Sequence, residues 1–387
     1  MENKIINNDK VSINGPINFF KLKKDNKIIY LLCEVHEDIS RQQECDDLYS
    51  INIDKYLKHV FKNSTETIDF MLETPEEFLN EDKKTYSDNN YNLKYIQKLR
   101  KMYIQNKNAE KNTRFHHIEI RYYNQLWELR ELSENNMNNL WNNGLYDFYL
   151  IINNLKKIVE ILINLLKITQ KYRDNANIVD DKNTPIVEHI INKILNRYND
   201  NKNKKIINNF YDKFCIDKIK FTIELINKNM TRYEEINKNN SDLYLQQYRT
   251  SIPFGEKGGK IMTYENNIPD YKNKLFEIKN EIEYILLLCI NIGSAYVDSY
   301  FLRRFIDKDY VNNVIVYAGN FHIASYLWFL VKQCDFEIIE YNTINEKKTS
   351  EEFMEIIKKS TDMYDIYSYT EPIKFSQCVS MKPMNFK

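Results

Sequence analysis

The stretch Asn313–Val331, NVIVYAGNFHIASYLWFLV, constrains the fold more than any other part of the chain. Val314–Ala318 is a short apolar run rich in β-branched and aromatic residues, as expected of a buried strand. Gly319 and Asn320 interrupt it. Beyond them Phe321, Ala324, Leu327, Trp328 and Val331 recur at helical spacing. A buried strand that feeds directly into a helix is the repeating unit of an α/β sheet. The turn between them falls at the carboxyl edge, where open α/β sheets bind their ligands. His322 is expected on that turn, with Gly319 allowing a tight turn or a positive φ. A second histidine, His36, follows an apolar run near the start of the chain, in Leu31–Glu37 (LLCEVHE).

The flanking pattern agrees with a sheet. Ile17–Leu22 and Lys27–Glu34 are strand-like runs joined by the polar turn Lys24-Asp25-Asn26, which predicts an N-terminal β-hairpin. Thr67–Leu72 and Arg114–Ile120 read as further strands, with helices over Asp47–Lys62 and Leu93–Asn106 between them. Phe336–Tyr341 reads as a last strand and Glu351–Lys359 as a short helix, with an irregular tail after Thr361. Strand and helix alternate, which predicts a mostly parallel sheet with flanking helices and right-handed crossovers.

That alternation stops at Tyr122. Leu145–Tyr172, Val187–Tyr198 and Ile206–Ile236 carry helical periodicity and no strand runs. The expected organisation is therefore α/β with a large all-helical insertion. Residues 1–121 form the first part of the core, 122–240 the insertion, 241–264 a loop, 265–345 the second part of the core, and 346–387 a C-terminal helix and tail. The insertion either caps the active edge or packs beside the sheet, and under both views the stripe Leu155, Val159, Leu162, Leu166 must be buried. Glu277–Ile292 and Ser294–Ile306 read as two helices. The Gly-rich Ser251–Lys260 has neither the spacing nor the preceding strand of a phosphate-binding loop.

Composition narrows the partners. Fifty-five basic residues balance fifty-five acidic ones, so general nucleic-acid affinity, which needs a basic excess, is not expected. A membrane span needs about 20 apolar residues. Leu150–Ile168 is interrupted by four charges and Ile285–Ile292 is too short, so no membrane partner is expected either. The six cysteines form no CxxC pair and several lie in apolar runs. Reduced thiols and a cytoplasmic location follow as expectations. Cys33 ends an apolar strand, where a cysteine is packing more often than nucleophile.

Four putative central strands end on chemistry-bearing residues: Glu34 and His36; Glu73; His116, His117, Glu119 and Arg121; Asn320 and His322. Parallel strands bring such ends to one edge, so residues far apart in the chain can converge. Two imidazoles with one or two carboxylates can hold a divalent ion with an open position, or run general acid–base chemistry without one. His116 and His117 point to opposite faces of a regular strand, so at most one faces the edge. Glu119 and Arg121 share a face and can be a structural ion pair. Arg303 lies on the helix leading into Val314–Ala318, either at the rim of the site or on a solvated helix face.

These residues also carry a resemblance. The late motif Gly319-Asn320-Phe321-His322, the early motif Cys33-Glu34-Val35-His36, the strand-end Glu73 and the third-strand Arg121 resemble the TraB/Tiki and EreA/ChaN-like superfamily. The early motif has cysteine where that family has glycine. The whole looks like an uncharacterised branch found in large DNA viruses, which would place the chain in host cytoplasm. The resemblance covers about 17–128 and 277–341, and it implies a hydrolase acting on an amide or ester bond of a small molecule or peptide. In a metal-dependent form His36, Glu73 and His322 hold zinc, manganese or cobalt, Glu34 takes the proton of the bound water, and Arg121 stabilises negative charge. In a metal-free form His36 or His322 is the base and Glu73 orients it. The alternative is a catalytically inactive interaction factor on the same fold.

Overall fold

The computed structural model describes residues 10–35, 39, 43–75, 94–106, 111–145, 148–239, 268–343, 348–371 and 376–386. It is a mixed α/β structure with two sheets. In chain order the strands are β1 (Val11–Asn14), β2 (Asn18–Lys24), β3 (Lys27–Glu34), β4 (Ile51–Asn52), β5 (Ile68–Leu72), β6 (Thr113–His117), β7 (Asn313–Gly319), β8 (Glu337–Asn342) and β9 (Cys378–Met381). The helices are α1 (Ile53–Asn63), α2 (Tyr95–Asn106), α3 (Asn124–Asn143), α4 (Phe148–Asp174), α5 (Ile186–Asn196), α6 (Asn201–Tyr211), α7 (Asp217–Asn239), α8 (Ile268–Asp307), α9 (Asn320–Cys334), α10 (Ser350–Lys359) and α11 (Met363–Thr370). The chain divides into a sheet unit, 1–120, 198–206 and 300–387, and a helical unit, 121–197 and 207–299.

The sheet unit is built on six strands in the order β6-β5-β7-β3-β2-β8. β6, β5, β7 and β3 run parallel, while β2 and β8 add antiparallel pairings. The composition of the central strands explains their place. Every residue of β5 is buried, as are Ile29–Glu34 of β3 and Val314–Ala318 of β7. Strands covered on both faces need such continuous apolar runs, and each fully buried Ile, Leu or Phe contributes about 1.5–3 kcal/mol. The hairpin forms as expected, with Lys24 opposite Lys27 and Asp25 in the left-handed region at φ 50°. The register sets Glu34 opposite Gly319, and Leu72 opposite both Tyr317 and His117. The carboxyl ends of β3, β7, β5 and β6 thus lie along one edge.

A second, three-stranded sheet, β4-β1-β9, was not visible in the sequence pattern. β1 pairs antiparallel with β9 across nearly the whole chain, Val11 opposite Met381. Gly15, just after β1, has φ 131°, and a Cβ there would meet Ile53 Cγ2 at 2.7 Å. The expected irregular tail is corrected: it contains α11 and β9, and Met384 and Phe386 are buried. The expectation of six reduced thiols is corrected too. Cys45 and Cys378 form a disulfide with Cα atoms 5.0 Å apart, while Cys33, Cys215, Cys289 and Cys334 are free and buried.

The two helices expected over 277–306 are one, α8, forty residues long. Gly293 and Ser294 do not break it. Both are buried, and a residue that packs well outweighs the cost of about 1 kcal/mol that glycine carries in a helix. By length and composition Phe276–Asp307 could cross a membrane, but 78% of its apolar window is buried within the fold. The buried face of α4 comprises Ile151, Leu155, Ile158, Leu162, Leu165, Thr169 and Tyr172. Leu155 and Leu162 of the expected stripe are on it, whereas Val159 and Leu166 are half-buried at its side. The face is broad because α3, α5 and α7 all pack on α4. The loop Ser251–Lys260 lies outside the described residues.

Candidate functional site

The site is built where β5 and β7 end. Gly319 is the N-cap of α9, and having no side chain it cannot cap the helix itself. Its φ of −60° and ψ of 153° are ordinary extended backbone, so of a tight turn or a positive φ the second is not used. Glu73, one residue beyond β5, supplies the missing acceptor. Its Oε2 accepts from the Gly319 backbone N–H at 2.6 Å, and its own N–H donates to the Tyr317 carbonyl at 3.0 Å. A carboxylate there also meets the positive end of the helix dipole. His322 is the third residue of α9, on the turn that Glu73 caps. Its Nε2 lies 3.3 Å from Glu73 Oε1. Both side chains are buried, His322 4% and Glu73 6% exposed.

The neighbouring strand adds a second helix cap and a chain of polar contacts. Glu34, the last residue of β3, is fully buried, and its Oε1 accepts from the backbone N–H of Ile96 at the start of α2. Burial pushes the Tyr317 phenol well up, and the nearby Glu34 carboxylate adds to the shift. Asn18 sits opposite Cys33 in the hairpin. Asn18 Nδ2 donates to the Thr370 carbonyl at 2.6 Å, and the Cys33 thiol donates from Sγ to Asn320 Oδ1 at 2.8 Å. Burial pushes the Cys33 thiol far up, with smaller contributions from Glu34 and Glu73. It stays protonated and serves as a hydrogen-bond donor, not a nucleophile. α11 packs against α9, bringing Tyr364 and Tyr367 against the Phe321 ring at 5.7 and 6.0 Å between centroids.

The structure brings Glu73, His322, Asn320 and Glu34 to one edge. His36 lies outside the described residues. His116 is directed elsewhere: its Nε2 is 2.7 Å from Asp69 Oδ1, and the same buried carboxylate takes Arg114 Nε at 2.9 Å. Asp69 precedes Glu73 by four residues, roughly 13 Å along a strand. His117, at the end of β6, is half-buried and Glu119 is buried. Arg121 belongs to the helical unit, where its Nη1 donates to Ser294 Oγ at 3.2 Å. Of the two alternatives for Arg303, the solvated helix face is overturned. Arg303 is buried, with its guanidinium 5.8 Å from the Tyr198 ring centre, because α8 is enclosed along this stretch. Sequence reasoning missed Asn18, Tyr317 and α11. Only the Asp362-x-x-Asp365 spacing, which forms a capping box at the start of α11, signalled any of them.

Among the described residues no group of three or more His, Cys, Asp or Glu side chains is placed to hold a metal ion. Glu73 and His322 offer two donor atoms 3.3 Å apart, about the separation of two ligands on a tetrahedral ion with bonds of about 2.0–2.1 Å.

The relatives that match are named only as uncharacterised proteins. The chain is 28% identical to the uncharacterised protein R706 of Acanthamoeba polyphaga mimivirus, over 98% of this chain and 97% of that one. It is also 28% identical to R161 of the same virus, over 85% and 87%, and to R160, over 84% and 86%. No solved structure matches. From residue 11 to residue 387 the match is to one family, and the chain belongs to it: the family of unknown function DUF5847.

Proposed function

We propose that the sheet unit is a hydrolase of ester or amide bonds in small molecules or peptides, with His322 as general base and Glu73 as the carboxylate that orients it. The observation that carries this reading is the Glu73 bridge, one oxygen on the Gly319 N–H and the other 3.3 Å from His322 Nε2. A proton held on Nε2 by Glu73 puts the basic lone pair on Nδ1. His322 Nδ1 then takes a proton from water as the water oxygen bonds to the carbonyl carbon and the C=O pair moves onto oxygen. Collapse of that adduct breaks the bond to the leaving group, which takes the proton back from His322. The resemblance to the TraB/Tiki and EreA/ChaN-like superfamily supports the same pair, since Glu73 and the last residue of the Gly319–His322 motif are the residues in contact.

The donor pair also fits one divalent ion, zinc, manganese or cobalt, held by Glu73, His322 and, by resemblance, His36. Such an ion polarises a carbonyl and lowers the pKa of bound water. The proton-acceptor role that the resemblance implies for Glu34 competes with its position on the Ile96 N–H. The balanced charge supports a substrate other than nucleic acid. The viral relatives support a place in host cytoplasm, whereas the Cys45–Cys378 disulfide weighs against a reducing one.

The test uses the full chain without affinity histidines. It is incubated with panels of fluorogenic esters and peptide amides, before and after reconstitution with zinc, manganese or cobalt, and its metal content is measured. Hydrolysis lost in both H322A and E73Q, at retained melting temperature, is expected. No hydrolysis under any condition, or full activity in H322A, refutes it. Metal below about one ion per chain after reconstitution removes the metal-dependent form alone.

A second reading, a catalytically inactive interaction factor, is favoured by the near-complete burial of His322 and Glu73 and by Cys33 at the first turn. It predicts stability loss in E73Q with no hydrolysis in any variant.

A further inference from the structure

We infer that Asn320 is the oxyanion donor of this site and that Cys33 is the positioning residue that aims it. The inference rests on the hydrolase reading and adds to it the group that receives the negative charge. A base alone leaves the oxygen of the tetrahedral adduct unsatisfied, and such adducts are stabilised chiefly by donors fixed beforehand. Asn320 is the first residue of α9, two positions before His322, at the end of the helix where the dipole favours negative charge. Its side chain is 5% exposed, and among the described residues its Nδ2 has no hydrogen-bond partner. A buried amide N–H₂ left without an acceptor costs about 1–3 kcal/mol, so the position calls for an acceptor that arrives with a ligand.

The other half of the amide is held. The Cys33 thiol, opposite Asn18 in the hairpin, donates to Asn320 Oδ1 at 2.8 Å. This direction of donation sets Oδ1 towards Cys33 and presents Nδ2 as the remaining donor. It also gives the cysteine a job that glycine, found at this place in the superfamily the chain resembles, cannot do. Asn18 is itself fixed, by β2 and by the Thr370 carbonyl. The Cys33–Asn320 bond thus ties the hairpin to the N-terminus of α9.

The test measures kcat and KM for 4-nitrophenyl acetate and a fluorogenic peptide amide in wild type, H322A, N320A, C33A and C33S, with melting temperatures for all. N320A is expected to lower kcat about 10²–10³-fold, the usual effect of removing one oxyanion donor, with KM nearly unchanged. C33A is expected to lower kcat by a smaller factor, and C33S to restore it, because a hydroxyl can donate to Asn320 Oδ1 as the thiol does. A purely structural role would instead move melting temperature and leave the kcat-to-KM split flat. Wild-type kcat in N320A, with H322A inactive, overturns the inference and leaves the hydrolase standing. Loss in N320A with C33A and C33S both at wild-type rate overturns the positioning role alone. No turnover of either probe by wild type, or an active H322A, overturns the hydrolase reading and this inference with it.

Discussion

The Cys45–Cys378 disulfide closes a loop of 333 residues and fastens β9 beside β1. Replacing both cysteines by serine removes the cross-link at small cost in packing, since both are only half-buried. Chain entropy scales with the logarithm of loop length, and for this loop gives a ceiling of about 6 kcal/mol at 25 °C. Measured losses on removing native disulfides are nearer 2–5 kcal/mol. For a unit of about 200 residues each kcal/mol moves Tm by roughly 2–4 °C, so a fall on the order of 10 °C is expected. Intact-mass alkylation provides a second readout. Without reductant or denaturant the native chain should take up no iodoacetamide, because its four free cysteines are buried. Mild reduction should expose two sites, and reduction in denaturant all six. Native, unreduced protein alkylated at Cys45, together with an unchanged Tm in the double variant, would refute the cross-link.

Three further predictions concern stability. Burial raises the Asp69 carboxyl, but hydrogen bonds from His116 and Arg114 outweigh it and hold it below its ordinary 3.8. Burial likewise lowers His116 from 6.5, and Asp69 offsets only part of this. Both folded values lie below the unfolded ones, so both contributions are present at neutral pH. That of His116 is lost as pH falls below about 6.5, and that of Asp69 below about 3.8. H116Q should therefore flatten the decline of Tm between about pH 6.5 and pH 5, and an unchanged slope rejects the assignment. Gly15→Ala, with φ 131° and a Cβ 2.7 Å from Ile53 Cγ2, should cost about 2–4 kcal/mol in denaturant unfolding. Gly293→Ala, whose Cβ would sit 3.4 Å from Arg121 Cδ in a helix, should stay within about 1 kcal/mol of wild type.

The strands that carry the site were legible because burial on both faces leaves a one-dimensional trace. Ile28–Cys33 and Val314–Ala318 are continuous apolar runs, Ile68–Leu72 is one broken only by Asp69, and their ends named Glu34, Glu73 and His322. Short strands leave no such trace: β1, β4 and β9 have four, two and four residues, and their pairing depends on partners far along the chain. Nor could the sequence show that Cys45 meets Cys378, since proximity across 333 residues has no local signature. His116 misled for a different reason. A histidine late in a strand resembles an edge residue, but the carboxylate that claims it, Asp69, sits on the neighbouring strand and emerges only from the register. The sequence leaves Arg303 open between a rim and a solvated face; that it is buried, against Tyr198 about a hundred positions away, is a tertiary outcome with no local signature.

The pairing of β1 with β9 carries a consequence in time. Val11 finds Met381 only after some 370 residues have been made. At about 5–20 residues per second the first strand waits roughly 20–75 s for β9, and until then only its β4-facing edge can pair. Over nearly the same interval Cys45 is a thiol with nothing to join. The small sheet, and the oxidation that seals it, are thus late events in the life of each molecule. A pulse-labelled chain should pass through a reduced form that shortens only with faster elongation, whatever the concentration of oxidant.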